Sequence, residues 1–217
     1  MVSLRLLSLS ALVLAAASAA SAATVTFDCS KVPNICSNDC YALKCAGKPS
    51  TLHRNSAAAT DNRNHNACKS PNRCSGNPDD SNSCDEYPYA STSEGGAGAV
   101  TRCVPAHENS VQGGTLSSFY TRSNVQQGDA YNVAFTGTSG LQYCGGSCSN
   151  SGNEVQRRGM LFNKRQQVTL HAERRFKLEN GAEILMFEPI AKRGAFNSLV
   201  GQTVHLNDAD VKVVEAL

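Results

Sequence analysis

The chain has 217 residues, among them ten cysteines, a formal net charge of +2, no tryptophan and 6% aromatic residues. A charge so close to neutral excludes a protein that binds polyanions through its overall charge alone. After the N-terminus, no stretch approaches the roughly 20 consecutive apolar residues that span a bilayer, so we expect no membrane contact. The length suits one domain, or one domain with an appendage.

The N-terminus has the pattern of a secretory signal peptide. Arg5 supplies the positive charge, residues 6–17 are apolar, and Ala20-Ser21-Ala22 is a small-residue cleavage site. The apolar run is too short to cross a bilayer comfortably. We therefore assign residues 1–22 as a signal peptide and predict a secreted, extracellular protein.

All ten cysteines follow this segment, and in a secreted protein their even number predicts up to five disulfides. The predicted disulfide cysteines are Cys29, Cys36, Cys40, Cys45, Cys68, Cys74, Cys84, Cys103, Cys144 and Cys148. The spacing does not give the pairing, although Cys144 and Cys148 are close enough to bridge to each other. A zinc site at the first four cysteines is the less favoured alternative, because an oxidising compartment favours disulfides.

The N-terminal half alternates cysteine-dense segments with loop-forming ones. Residues 24–46 are cysteine-dense, residues 51–67 predict a short helix, and residues 69–83 are a loop rich in Ser, Pro, Asn and Asp. Residues 100–104 predict a short strand, and an apolar run within residues 113–122 predicts a helix.

The C-terminal part has the alternation typical of strands, and no cysteine follows Cys148. Asn180-Gly181 separates two apolar runs, which is the strongest short-range signal for a hairpin. Pro189 is expected to end the second of these strands, and the valines of residues 211–214 predict a final strand.

These elements predict an α+β fold, a small disulfide-rich domain with an antiparallel β-sheet and a few short helices. Residues 23–122 are predicted to form a cysteine-rich core. Residues 123–217 are predicted to be β-rich, either as part of the same domain or as an appended module.

Acidic, basic and amide side chains are concentrated between residues 84 and 112. They are Asp85, Glu86, Glu94, Arg102, His107, Glu108, Asn109 and Gln112. Hard divalent cations prefer carboxylate, amide and water oxygens, and a guanidinium group binds phosphate through paired hydrogen bonds. The set therefore suits a metal-dependent phosphodiesterase, in which a base takes a proton from water.

Each of these residues also has a purely structural interpretation. The pair Asp85-Glu86 fits a solvated turn, Arg102 an ion pair, His107 an exposed loop and Asn109 a helix N-cap. Glu94 fits a turn ahead of its two glycines. Spacing alone leaves both interpretations open.

A series of ordered motifs favours the enzymatic interpretation. It comprises Asp85-Glu86-Tyr87-Pro88, Glu94-Gly95-Gly96-Ala97-Gly98-Ala99, Arg102-Cys103-Val104, Glu108-Asn109 and Gly113-Gly114. In this order the motifs resemble the core of the NucA/NucB-type secreted deoxyribonucleases, over roughly residues 50–122. Cys84, directly before the acid pair, is similar to the cysteine-bearing branch of that family.

The resemblance implies a metal-dependent endonuclease with a ββα-metal-like site, Mg²⁺ or Mn²⁺ as cofactor, and DNA as substrate, with RNA as a further option. It implies that Asp85 is the base that activates water. The implied catalytic residues are Asp85, Glu86, Arg102 and Asn109, the implied metal ligands are Glu108, Asn109 and Gln112, and the implied substrate contacts are Glu94, Arg102 and His107. We expect the enzyme to be a monomer.

The sequence departs from the family pattern at two places. Cys103 stands where an aromatic residue is usual, which suggests a disulfide peculiar to this branch. Residues 115–120 carry no carboxylate, so a metal-binding Glu on that helix is missing or is replaced by Glu108 or Gln112. A catalytically altered secreted effector, or a nucleic-acid-binding protein on the same scaffold, is therefore the alternative function.

Four basic pairs lie in the C-terminal half. They are Arg157-Arg158, Lys164-Arg165, Arg174-Arg175 and Lys192-Arg193. Solvated strand faces and turns account for such pairs, and a rim that contacts phosphates is the functional alternative.

Overall fold

The computed structural model describes residues 22–77, 80–156, 169–192, 194, 196 and 199–217. The signal-peptide prediction falls on residues outside this set except at Ala22, and two of the basic pairs also lie outside it. Among the described residues, no helix combines the length and the apolar character needed to cross a membrane.

The described part of the chain contains short strands and four α-helices. The strands are β1 Ala23–Asp28, β2 Thr51–His53, β3 Ser83–Tyr87, β4 Val100–Val104, β5 Ala130–Thr136, β6 Val155–Gln156, β7 His171–Leu178, β8 Glu183–Pro189, β9 Thr203–Leu206 and β10 Ala209–Ala216. The helices are α1 Pro33–Cys40, which continues as a π-helical turn Tyr41–Cys45, α2 Ala59–His65, α3 Ala106–Arg122 and α4 Gln142–Gly145.

Seven strands form one sheet in the order β1-β9-β10-β7-β8-β5-β2, and a further pairing of β1 with β5 closes six of them into a barrel. β1 runs parallel to both β5 and β9, whereas the other pairs are antiparallel. The prediction of an antiparallel sheet with a ββα-metal-like fold is therefore wrong. The reason is a long-range pairing: Val25 lies beside both Val133 and His205, and no local sequence pattern encodes such partners.

The barrel separates two hydrophobic cores. Because side chains alternate across a strand, Val133 and Phe135 of β5 face one core, while Ala134 faces the other. The core inside the barrel is built from strand residues such as Phe176 and Met186. The core outside it packs β1 and β5 against α1 and α3.

A separate three-stranded sheet, in the order β3-β4-β6, lies on the outer side of this second core. α3 packs against both β1 and β3, and α1 packs against β3 and β4. In the β3–β4 hairpin, Cys84 pairs with Cys103, Asp85 with Arg102, and Glu86 with Thr101. The acid pair of the sequence motif therefore lies on a strand held between two helices.

Several local predictions are confirmed. The strand at residues 100–104, the hairpin around Asn180-Gly181, the strand end at Pro189 and the final strand are all present. The helix expected within residues 113–122 is longer than predicted and begins at Ala106, so Asn109 lies inside it and is not its N-cap.

Five disulfides use all ten cysteines. The pairs are Cys29–Cys36, Cys40–Cys144, Cys45–Cys148, Cys68–Cys84 and Cys74–Cys103. The predicted number is confirmed, whereas a bridge between Cys144 and Cys148 and the zinc alternative are both wrong. The last two bridges attach residues 66–77 to β3 and β4, on either side of the acid pair.

Candidate active site

A pocket of about 400 Å³ opens beside β3, and its walls come from β3, α3 and the segment between β2 and α2. Polar and charged side chains line much of it. They include Arg54, Ser56, Arg63, Glu86, Ser91, Asn109, Gln112 and Tyr120.

Strand β3 turns its two acidic side chains to opposite sides, as neighbouring strand residues must. Glu86 lines the pocket and is 8% exposed. Asp85 is 1% exposed and points toward α1, where Asn38 Nδ2 donates a 2.8 Å hydrogen bond to Asp85 Oδ2. Asn38 Nδ2 also lies 3.3 Å from the carbonyl oxygen of Val100. One amide therefore fixes the Asp85 carboxylate relative to strand β4.

The second oxygen of Asp85 has no such partner. Gln112 is close enough for its side chain to lower the pKa of Asp85, yet neither Asp85 Oδ1 nor Gln112 Nε2 makes a hydrogen bond of ordinary geometry. A buried carboxylate oxygen without a donor is costly.

Burial and the negative charge of Glu86 raise the pKa of Asp85 to about 7, against the opposing effects of the Asn38 hydrogen bond, the nearby Gln112 amide and the Glu86 backbone N–H. Burial also raises the pKa of Glu86, while the charge of Arg63, whose Nε lies 3.4 Å from Glu86 Oε1, lowers it. An aspartate with a pKa near neutrality is suited to accept and release a proton at physiological pH.

A third buried carboxylate lies close by, on α1. Asp39 is fully buried, and Tyr89 Oη donates a 2.8 Å hydrogen bond to Asp39 Oδ2. Burial, followed by the charge of Asp85, raises the pKa of Asp39 well above its usual range.

Asn109 and Gln112 lie one turn apart on α3 and both line the pocket. Asn109 Nδ2 donates to Ser83 Oγ at 2.8 Å and to the carbonyl oxygen of Cys84 at 3.1 Å. These bonds leave the side-chain carbonyl oxygen of Asn109 as its acceptor for a ligand. The structure thus brings three of the predicted site residues, Glu86, Asn109 and Gln112, into one pocket, and Asp85 lies behind it on the other face of β3.

Arg102 lies outside this group. Its guanidinium forms an ion pair with the buried carboxylate of Glu154, and its Nη2 donates to Asn34 Oδ1 at 3.3 Å. Tyr143 Oη donates to the other oxygen of Glu154 at 3.0 Å. Arg102 is thus engaged in linking β4 to the segments that contain α1 and α4.

Glu108, Glu94 and His107 also lie outside the group. Glu108 accepts hydrogen bonds from the backbone N of Asn34 at 2.9 Å and from its Nδ2 at 2.7 Å, at the N-terminus of α1. Glu94 accepts a 2.9 Å bond from the backbone N of His53. His107 is exposed on the first turn of α3.

The glycine turn after Glu94 has a clear packing role. A Cβ atom on Gly95 would lie 2.5 Å from the carbonyl oxygen of Tyr89, and one on Gly96 would lie 2.7 Å from Asn62 Oδ1. Asn62 in turn donates to the carbonyl oxygens of residues 90 and 92, at 2.8 and 2.9 Å. The turn therefore holds α2, and the next residue of that helix, Arg63, reaches Glu86.

Four contributors to the site carry no local sequence signal. They are Asn38, Arg54, Arg63 and Tyr120, and each is brought to the site by an element distant in sequence from the acid pair. In a polar, cysteine-rich segment, the position of an arginine or asparagine along the sequence does not distinguish a site residue from a solvated one. Only the three-dimensional structure shows that these four residues lie at the site.

A buried aspartate behind a pocket lined by a carboxylate, amides and arginines is an arrangement compatible with a hydrolytic site. The family model for deoxyribonuclease NucA/NucB matches residues 39–134, so this stretch of the chain is similar to that family. No curated protein matches the chain. The family identifies a nuclease, and five disulfides fit an extracellular protein.

Proposed function

We propose that the protein is a secreted endonuclease that hydrolyses phosphodiester bonds in DNA, with a divalent cation as cofactor and Asp85 as the general base. One observation carries the proposal. Asp85 belongs to the family's acid motif, is 1% exposed, and has a pKa raised to about 7 with one carboxylate oxygen unpartnered.

In this mechanism Asp85 Oδ1 accepts a proton from the attacking water, while Asn38 holds Oδ2 in place. The resulting hydroxide forms the new bond to phosphorus, and the bond from phosphorus to the leaving sugar oxygen breaks. Because Asp85 is almost fully buried, we expect water to reach it when the Gln112 side chain shifts. The amide nitrogen of Gln112 has no hydrogen bond that opposes such a shift.

The pocket suits a hard cation that keeps much of its own water. Among the described residues, no group of three or more His, Cys, Asp or Glu side chains is arranged to hold a metal. One carboxylate and two amide oxygens, from Glu86, Asn109 and Gln112, are nevertheless the ligand types that Mg²⁺ or Mn²⁺ takes alongside water and substrate phosphate. When bound, the ion polarises the phosphoryl oxygen and stabilises the leaving oxyanion. Glu108 is omitted because its carboxylate bonds α1.

A plasmid-cleavage assay tests the proposal. The wild-type protein should nick supercoiled DNA with Mg²⁺ or Mn²⁺ and lose this activity in EDTA. Asp85→Asn should abolish cleavage and keep the melting temperature. Asp61→Asn, an exposed change on α2, is the matched control and should cleave as the wild type does. Full activity of Asp85→Asn would refute the role of Asp85 as the base, and undiminished cleavage in EDTA would refute the metal requirement.

The alternative, a nucleic-acid-binding protein without catalysis, is favoured by one observation: α3 has only Glu108 as a carboxylate, and this side chain is engaged at the N-terminus of α1. The same assay separates the two functions. Tight DNA binding by the wild type, with no turnover at any metal concentration, would favour the alternative.

A further inference from the structure

We infer that Arg54, with Ser56 and Tyr120, forms a subsite for a second backbone phosphate of the substrate, next to the phosphodiester that is cleaved at Asp85 and Glu86. The inference rests on the proposed nuclease function and specifies its substrate class: a nucleic-acid strand that carries at least two phosphates.

Arg54 is held in a fixed position on the wall of the pocket. Its Nη1 donates to the carbonyl oxygen of Val125 at 2.6 Å, and its Nε donates to Ser56 Oγ at 3.2 Å. The guanidinium carbon lies 4.7 Å from the centroid of the Tyr120 ring, within the range of a cation–π contact. A guanidinium that is already ordered loses little entropy when it binds a ligand.

The charge of Arg54 is not neutralised by the part of the chain that the structure describes. The other pocket arginine, Arg63, lies 3.4 Å from Glu86. The described salt bridges include none to Arg54. A half-buried cation without an anionic partner favours binding of an anion, and the planar fork of a guanidinium matches the oxygens of a phosphate.

The neighbouring groups favour a phosphate over a nucleobase. Tyr120 is 7% exposed and Tyr89 is 3% exposed, and the guanidinium of Arg54 already covers the Tyr120 ring. Little aromatic surface is therefore left for a base to stack on. Ser56 Oγ accepts the Arg54 Nε–H, so its own hydroxyl hydrogen is available for a phosphate oxygen. Such a subsite binds the backbone and positions the strand without reading its sequence.

The salt dependence of DNA binding tests the charge. Binding of a fluorescent DNA duplex is measured in EDTA over a range of NaCl concentrations for the wild type, Arg54→Gln and Lys177→Gln. Lys177 is an exposed cation on β7, outside the basic pairs, and serves as the control. Loss of one phosphate contact should reduce the slope of log K against log salt by about 0.9 in Arg54→Gln alone. An unchanged slope in Arg54→Gln would overturn the inference.

Because Arg54 also donates a hydrogen bond to the carbonyl oxygen of Val125, Arg54→Lys serves to separate loss of charge from loss of local structure. Lysine keeps the positive charge but lacks the planar pair of donors of a guanidinium. This variant should therefore keep the wild-type slope and bind DNA more weakly. A reduced slope in Arg54→Lys would contradict the assignment of the slope to the charge.

Steady-state kinetics test the substrate class. In Arg54→Gln, kcat/KM should fall at least about tenfold more on an oligonucleotide than on bis(p-nitrophenyl) phosphate. That compound carries a single phosphodiester and so has no second phosphate for the subsite. Equal losses on both substrates, with a wild type that cleaves DNA, would overturn the subsite and leave the nuclease proposal intact. A wild type that neither binds nor cleaves DNA would overturn both.

Discussion

Replacing Asn38 by leucine tests how the structure sets the pKa of the proposed base. Asn38 is fully buried on α1 and donates the 2.8 Å hydrogen bond to Asp85 Oδ2. Leucine has the same branched outline and no donor, but its methyl groups are bulkier than the amide, so overpacking should cost about 1–3 kcal/mol of stability. Because the bond from Asn38 stabilises the ionised carboxylate, its loss raises the pKa of Asp85 above the value of about 7.

The size of the effect follows from the strength of a hydrogen bond to a charged group, about 1.5–3 kcal/mol. One pH unit corresponds to about 1.4 kcal/mol, so the acidic limb of the pH–rate profile should move up by about one to two pH units. Asp85 must be deprotonated to act as the base. At pH 7 the active fraction should therefore fall from about one half to about a tenth or a hundredth, and activity should recover as the pH rises.

The measurement is kcat/KM on a DNA oligonucleotide from pH 5 to 10 at fixed Mg²⁺. Ser37→Ala, on the same helix, removes a hydroxyl that bonds only within α1, and should keep the wild-type profile. An Asn38→Leu profile with its acidic limb unmoved, or one lowered equally at every pH, would refute the assignment of this limb to Asp85.

Four further changes test the architecture around the site. Arg102→Gln removes the cation that faces the buried carboxylate of Glu154, which keeps the hydrogen bond from Tyr143. It should therefore lower the free energy of unfolding by about 3–5 kcal/mol in a denaturant titration. A selective rise in KM with unchanged stability would instead indicate a substrate contact. Gly96→Ala places a Cβ 2.7 Å from Asn62 Oδ1 at a φ of +90°. It should lower the free energy of unfolding by about 1–3 kcal/mol and reduce cleavage. Gly114→Ala has open space around its new Cβ and should instead stabilise α3 by about 0.5–1 kcal/mol. Replacing both cysteines of the Cys68–Cys84 bridge, which are 16 residues apart, should cost about 3 kcal/mol and lower the melting temperature; an unchanged melting temperature would show that the bridge does not stabilise β3.

The local features of the fold could be predicted because each depends on residues close together in the chain. Asn180-Gly181 specifies its hairpin, since the turn conformation needs only the two central residues and their flanking strands. The even set of cysteines predicted five disulfides. The spacing of short motifs identified the NucA/NucB family.

The sequence by itself thus indicated the family, the number of disulfides and the strand at residues 100–104. The tertiary structure alone decided that β1 pairs in parallel with β5 and β9 to close a barrel. It also brought Asn38 into a hydrogen bond with Asp85 and placed Arg54 in the wall of the pocket. Arg102 and Glu108, in contrast, bind other elements of the fold. The physical reason is that a side chain's partner depends on which distant segments pack together. That packing depends on the apolar surface buried by the whole chain and on the entropy cost of bringing distant segments together. Short-range sequence patterns contain neither quantity.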